Sequence, residues 1–283
     1  MQTSGLFKTH AYKYKHAGYG QPLRIVIFGD VHRDSPNHAS GAWQDFLEYA
    51  RGLDKNTLFL GMGDYTDSTS TSERECLGAI SKKMHETFLH DISALQLAKV
   101  ELLAKELAFM KGRLIGLLNG NHYFQFAQTD TNSDQKLAEL LGCQYLGVCS
   151  FIRLYLTHSG RVHSVDIFAH HGKGAARLVG GSINRVAQMV EGAEADVFVM
   201  GHDHKRAIVP MSPRLFLAHT AKAGLEVRHK EVWAVRSGSF LASYRDGETN
   251  YNVDAARGPC SLGHVELLIT PKRSGEIKIQ GLC

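Results

Sequence analysis

No stretch of this chain approaches the roughly 20 consecutive apolar residues that a membrane-spanning helix needs, so no such helix is expected. Cysteine is scarce. Cys76, Cys143, Cys149, Cys260 and Cys283 are odd in number and contain no Cys-x-x-Cys pair. They offer no disulfide framework and suit a reducing compartment, so a cytoplasmic location is expected. Residues 1–20 mix Lys, His and Tyr with few aliphatics and lack the apolar stretch of a secretory signal. An excess of one charge is nearly absent as well. The net charge of +4 favours the approach of an anionic substrate but falls short of a nucleic-acid footprint. There is no basic stripe interleaved with aromatics of the kind that marks single-strand binding. Repeats, low-complexity tracts and a domain linker are also missing.

What remains is an ordinary globular composition, 43% hydrophobic and 21% charged. A length of 283 residues allows one or two domains. Within it stand five short polar clusters, each at the end of an apolar run. They are Gly29-Asp30-Val31-His32, Gly63-Asp64-Tyr65-Thr66-Asp67, Gly120-Asn121-His122, His170-His171-Gly172 and Gly201-His202-Asp203-His204. The runs before them are short and bounded by turn residues, which predicts buried strands. In open α/β sheets, ligands gather at the carboxyl ends of strands. Five clusters at five such ends can meet in one place, and together they supply carboxylates, an amide and imidazoles enough for two divalent metals.

The order of these motifs resembles the calcineurin-like metallophosphoesterase superfamily. Its pattern runs Asp-x-His, Gly-Asp-x-x-Asp, Gly-Asn-His followed by an acid, a lone His, then Gly-His-x-His. The resemblance covers roughly residues 24–206, with one departure: Tyr123 stands where the acid is usual. It implies that a first metal takes Asp30, His32 and His204, and a second takes Asn121, His170 and His202, with Asp64 bridging both. His170 ends its apolar run and is the expected ligand of the fourth motif; His171 is the alternative, and otherwise hydrogen-bonds a ligand or substrate oxygen. Asp67 is expected either to cap the following helix or to support the metal centre without binding an ion. Tyr123 is expected beside the centre, with its hydroxyl available as a hydrogen-bonding group. Mixed oxygen and imidazole ligands with no thiolate suit borderline ions. Manganese is the expected ion, with iron, zinc and nickel as alternatives.

Strands and helices alternate in the first half and strands cluster in the second. With the resemblance, this implies an α/β fold, a four-layer α/β/β/α sandwich of two mixed sheets flanked by helices. A single metallophosphoesterase domain is expected over 1–283. Residues 72–111 read as helical, with a break near Leu89 to Ile92, and form a cover or lid. Trp43 to Ala50, Asp134 to Leu141 and Ser182 to Glu191 read as helices. Ser182 is the expected N-cap of the last, and Gly142 stops the one before it.

The implied activity is hydrolysis of a phosphate ester, with water activated between the two ions. His122 is the expected acid at the leaving group, and Asp64 is the other catalytic residue. A phosphodiester, of nucleotide or nucleic-acid type, is the first substrate expectation. A phosphomonoesterase or protein phosphatase is the alternative, and an inactive metal-binding scaffold stands third. Arg33, Lys173 and Arg206 lie next to motifs and are the expected phosphate contacts. The sequence leaves the oligomeric state open.

Overall fold

The structure is a computed structural model that describes residues 8–81, 85–126, 129–174, 176–220, 224–244, 247, 251–254, 256 and 258–283. In chain order the elements are β1 (Lys8–Lys15), β2 (Leu23–Phe28), α1 (Ser40–Gly52), β3 (Thr57–Gly61), α2 (Thr71–Ser81) and α3 (Glu86–Glu106). Then follow β4 (Leu114–Leu118), α4 (Ser133–Leu141), β5 (Tyr145–Gly147), β6 (Cys149–His158), β7 (Arg161–His170), α5 (Val179–Gly192) and β8 (Val197–Met200). The chain continues with β9 (Arg206–Pro210), β10 (Arg214–Thr220), β11 (Gly224–Lys230), β12 (Trp233–Ser237), α6 (Tyr251–Asp254), β13 (Val265–Pro271) and β14 (Ile277–Leu282).

Two six-stranded mixed sheets form the body. One has the order β1-β6-β7-β8-β12-β9 and the other β14-β13-β2-β3-β4-β5, while β10 and β11 make a separate two-stranded hairpin. Strands β2, β3, β4 and β5 run parallel, as do β7, β8 and β12. The burial pattern explains the layers. Ile25, Ile27, Leu58 and Leu60 of one sheet share a core with Ile152, Leu154, Ile167 and Val199 of the other. The opposite faces are covered separately. Val26, Phe28 and Phe59 pack under Trp43, Phe46 and Leu47 of α1 and Leu103 of α3. Phe168 and Phe198 pack under Val186 and Val190 of α5. Parallel strands buried on both faces read as continuous apolar runs, and β2, β3 and β4 do so in the sequence. The four-layer α/β/β/α sandwich expected from the motifs is the fold.

Two expectations are corrected and one strand is added. Leu89 to Ile92, where a break was expected, lies inside α3, which starts at Glu86. The His85 side chain caps α3 by accepting the Thr87 N–H. Helix α5 starts at Val179, so Ser182 is inside it; its hydroxyl is buried against Asp203 rather than capping. The N-terminal strand β1, absent from the sequence reading, pairs in parallel with β6 at the edge of its sheet. Gly142 does end α4, in the left-handed conformation that a helix stop favours. Among the described residues, no helix is long and apolar enough to cross a membrane.

Candidate metal centre

The motifs follow the carboxyl ends of β2, β3, β4, β7 and β8. Backbone bonds tie these ends together. Asp30 N–H donates to the Gly63 carbonyl at 2.9 Å, His32 N–H to the Asp64 carbonyl at 3.0 Å, and Gly201 N–H to the His171 carbonyl at 2.9 Å. The two sheets meet where His202 N–H donates to Asp30 Oδ2 at 2.9 Å. Gly120 is required here, because a Cβ would overlap Asp64 Oδ1 and the Asp64 nitrogen.

The backbone at this point is unusual. Asp30, His32, Asp64, His202 and His204 all have positive φ, between 44° and 73°, a region that side-chain-bearing residues rarely adopt. Among the described residues only Asp130, Ser159 and Ala256 are other non-glycine cases. Strain of this kind persists where the surroundings enforce it, and it concentrates at functional sites.

Three clusters emerge among the described residues; one joins His32, Asp67 and His122, and the other two contain the expected metal ligands. In the first of these two, ligand atoms of Asp30, His32 and His204 lie within 4.8 Å of one another. In the second, those of Asp64, His171 and His202 do so. Asn121 joins the second, with Oδ1 at 2.6 Å from His202 Nδ1 and 2.9 Å from His171 Nε2. Asp64 sits between them: Oδ2 is 3.3 Å from His171 Nε2 and 3.8 Å from His32 Nε2. Its other oxygen accepts the backbone N–H groups of Asn121 at 2.6 Å and His122 at 2.8 Å.

The fourth motif is the main correction. His171, rather than His170, is in the centre. His170 is the last residue of β7, and strand side chains alternate between faces. Ile167 and Ala169 point into the core between the sheets, whereas Phe168 joins the outer core. His170 therefore shares the outer side, where its Nδ1 accepts the Gly172 N–H at 2.8 Å. His171 Nδ1 donates to the Met62 carbonyl at 2.7 Å, which leaves Nε2 facing Asp64 and Asn121.

The electrostatics are those of a site built around positive charge. Burial raises the Asp30 carboxyl to about 7. Burial also lowers His202, to about 4, with the positive His171 adding to the shift. Burial would lower His171 too, yet Asp64 beside it carries that ring to about 9. A proton on His171 Nε2 thus lies where the carboxylate and amide oxygens call for a cation. Asp30 Oδ1 and His32 Nε2 are buried with no hydrogen-bond partner. Buried polar atoms are normally paired, and both atoms can donate an electron pair to a metal. The donor set fits two divalent cations.

Asp67 takes a different place from the one expected of a cap. Ser70 and Glu73 cap α2 reciprocally, through Ser70 N–H to Glu73 Oε2 at 2.6 Å and Glu73 N–H to Ser70 Oγ at 3.3 Å. Asp67 Oδ1 instead lies 2.6 Å from His122 Nδ1 and 3.3 Å from His32 Nδ1. These two imidazoles hold its carboxyl far below the usual carboxylate range, against the effect of burial. The Tyr123 ring stacks on the Arg74 guanidinium, 3.9 Å from centroid to Cζ.

Residues 23–206, including all five motifs, match a sequence model of the calcineurin-like phosphoesterases. The chain belongs to the calcineurin-like phosphoesterase family. Metal-dependent hydrolysis of phosphoesters is the chemistry of this family, and its members typically hold two divalent ions. Among curated sequences, none matches this phosphoesterase. Solved structures similar to it are remote in sequence. The Entamoeba histolytica Vps29 complexed with zinc is 12% identical, over 92% of this chain and 98% of that one, with a TM-score of 0.38. The Haemophilus influenzae NAD nucleotidase is 15% identical, over 92% and 49%, with a TM-score of 0.43. A Thermus thermophilus 5'-nucleotidase precursor is 13% identical, over 92% and 54%, with a TM-score of 0.41.

The cations expected to bind substrate fare unevenly in the phosphoesterase. Arg33 makes a forked pair with Glu106, at 3.0 Å from Nε and 2.8 Å from Nη2, and Glu106 also accepts from Trp43. Arg206 donates to the Leu262 carbonyl at 3.0 Å. Lys173 is exposed beside Gly172. The sequence reading did not single out Arg236. It is buried, and donates to the carbonyls of Gly201 at 2.8 Å and Ser182 at 2.8 Å, with Asp203 Oδ2 at 3.1 Å. It fixes the loop that carries His202 and His204.

Proposed function

We propose that this phosphoesterase is a phosphodiesterase of nucleotide or nucleic-acid type, with the metal centre assigned as follows. Asp30, His32 and His204 hold one divalent ion. Asn121, His171 and His202 hold the other, and Asp64 serves both. Two such ions supply an activated water and positive charge for the phosphate oxygens. Manganese fits this oxygen and imidazole set first, with no thiolate among its members.

The observation that carries the reading is the convergence of seven donor side chains from both sheets, five of them in left-handed backbone. The protein's own residues then have defined tasks. Asp64 is held by the Asn121 and His122 amides, so its second oxygen is oriented toward both clusters. His122 is oriented by Asp67, with Nδ1 against the carboxylate, and is 28% exposed at the edge of the centre. It hands a proton to the departing oxygen as the ester bond breaks.

The diester preference is supported by charge. A monoester carries an extra negative charge that needs cations beyond the metals. Arg33, Arg74, Arg206 and Arg236 are each engaged with protein oxygens, which leaves Lys173, exposed beside Gly172, as the one of the expected phosphate contacts not held in this way. The test compares kcat/KM on bis(4-nitrophenyl) phosphate and 4-nitrophenyl phosphate with manganese bound, then on single- and double-stranded DNA. A preference for the diester supports the reading, and a strong preference for the monoester overturns it.

A further inference from the structure

The segment 66–70 carries Asp67 but belongs to no helix or strand. Its position is therefore set by individual contacts. Two come from the neighbouring motif, where the N–H groups of Ser68 and Thr69 donate to the His122 carbonyl at 3.1 and 3.4 Å. Thr69 is held further by its hydroxyl donating to the Tyr123 carbonyl at 2.7 Å and by Arg74 Nη1 donating to its carbonyl at 2.5 Å. Asp67 and Ser68 are also held from outside every motif. Asp34 Oδ1 accepts the Asp67 N–H at 2.6 Å. Asp34 Oδ2 is held by Lys99 Nζ at 2.5 Å. One turn earlier on the same face of α3, Gln96 Oε1 accepts the Ser68 hydroxyl at 2.8 Å.

These contacts form a continuous line of short bonds, from Lys99 to Asp34, from Asp34 to the Asp67 amide, and from Asp67 Oδ1 to His122 Nδ1 at 2.6 Å. Charge-assisted bonds of this kind are both strong and geometrically demanding. Asp34 is not a solvated rim residue: its side chain is only 16% exposed and both its oxygens are occupied. Removing it frees the backbone of the residue that aims the His122 ring. Removing Lys99 leaves the Asp34 carboxylate without the ammonium that holds it.

We propose that Asp34, anchored by Lys99 on α3, is a positioning residue for His122, acting through the backbone of Asp67. The inference rests on His122 as the acid at the leaving group. Positioning of this kind matters most where the departing oxygen needs a proton. The reaction balances as follows: the phosphorus–oxygen bond to the leaving group breaks, a new one forms to the oxygen of a water that releases one proton to solvent, the His122 proton goes to the departing oxygen, and His122 regains a proton from solvent.

The experiment uses the full chain loaded with metal, in the variants Asp34→Ala, Asp34→Asn, Lys99→Met and His122→Ala. Each is assayed on bis(4-nitrophenyl) phosphate, whose nitrophenolate leaves readily, and on diphenyl phosphate, whose phenolate needs a proton. Asp34→Ala is expected to lower kcat on diphenyl phosphate by about 10- to 100-fold and on the nitrophenyl ester by less than about threefold, the scale expected of a small misplacement. KM and metal content stay unchanged. Asp34→Asn, which keeps the acceptor for the Asp67 amide, and Lys99→Met fall between Asp34→Ala and the parent. His122→Ala shows the same selectivity, with a larger loss. If His122→Ala affects both esters equally, the acid assignment fails. If His122→Ala is selective while Asp34→Ala affects both esters equally, or neither, the positioning inference fails.

A second readout does not depend on turnover. In protein labelled with ¹⁵N-histidine, metal-free and zinc-loaded, the Nδ1 proton of His122 resonates downfield because of its short contact with Asp67. Asp34→Ala is expected to shift or broaden that signal while leaving the circular dichroism spectrum intact. An unchanged resonance overturns the inference.

Discussion

Asp67 Oδ1 lies 2.6 Å from Nδ1 of His122. The sequence places Tyr123 where the family pattern has an acid after Gly-Asn-His, yet His122 is not left without a carboxylate. Asp67, three residues past Asp64, supplies it. An acceptor-only group against Nδ1 fixes the ring orientation and leaves Nε2 toward the reaction.

The first prediction follows from that pair. Asp67→Asn replaces the carboxylate with an amide of the same shape but removes its charge. The amide oxygen can still accept from His122 Nδ1, but the negative charge that holds the His122 and His32 rings is lost. We expect kcat to fall by about 10²-fold, the lower end of the range for a positioned acid. Atomic emission should still find the parent metal content. Full activity in this variant would remove Asp67 from the proposal.

The second prediction separates the two histidines of the fourth motif. His171→Ala removes the ring whose Nε2 is 3.3 Å from Asp64 Oδ2 and 2.9 Å from Asn121 Oδ1. It is expected to lose about one metal equivalent per chain and most activity, since removing a metal's supporting groups alone costs 10- to 100-fold. His170→Ala removes a ring whose contact is the Gly172 amide. It should keep both metals and activity within about threefold, since its half-buried ring lies on the outer side of β7 and contacts none of the assigned donors. The reverse result, with His170 indispensable, would restore the first expectation.

Much of this was legible in the sequence, and the missing parts have physical reasons. The motifs could be read because parallel strands buried on both faces leave unbroken apolar runs that end abruptly in Gly, Asp and His. The choice between His170 and His171 needed strand parity. Val165, Ile167 and Ala169 alternate inward, and counting on from them places residue 171, not 170, on the inner side. That signal was present but outweighed by the position of His170 at the end of the run. Arg33 carried no signal of its partner, because Glu106 is 73 residues away on α3. Ser182 looked like a cap because serine commonly is one; the tertiary contact with Asp203 and Arg236 decided otherwise. Strand β1 was hidden because its sequence, KTHAYKYK, has few aliphatics.

The third prediction concerns Gly120. A methyl group there would collide with the Asp64 carboxylate and backbone, and neither can move without losing the Asn121 and His122 amide contacts. Gly120→Ala should therefore abolish tight metal binding, measured by isothermal titration with manganese, even where the circular dichroism spectrum stays native. Gly41 offers a control. It lies in α1, and a Cβ there meets nothing within 4 Å. Gly41→Ala should bind metal normally and gain about 0.4–1 kcal/mol of stability from a less flexible unfolded chain. Equal metal affinity in the two variants would show that the close approach at Gly120 is not needed.

The fourth prediction links metal to pH. In the metal-free chain, Asp30 titrates near 7 because it is buried, and His171 near 9 because Asp64 offsets its burial. Both values lie above those of an unfolded chain, roughly 3.9 for Asp and 6.5 for His. A group with a raised folded-state pKa adds stability below its unfolded value and loses it as pH rises through the folded one. The contribution of Asp30 is thus lost by about pH 7, and that of His171 between about 6.5 and 9. His202, lowered to about 4, works the other way and adds nothing further above about pH 6.5. The metal-free protein should therefore lose thermal stability as pH rises from about 6.5 to 9. Metal binding displaces the His171 proton and meets an ionised Asp30, so it should strengthen over the same interval. Scanning calorimetry of EDTA-treated and manganese-loaded protein should show a gap in Tm that widens across this range. A gap that stays constant or narrows would mean that these buried groups are not where the metal binds.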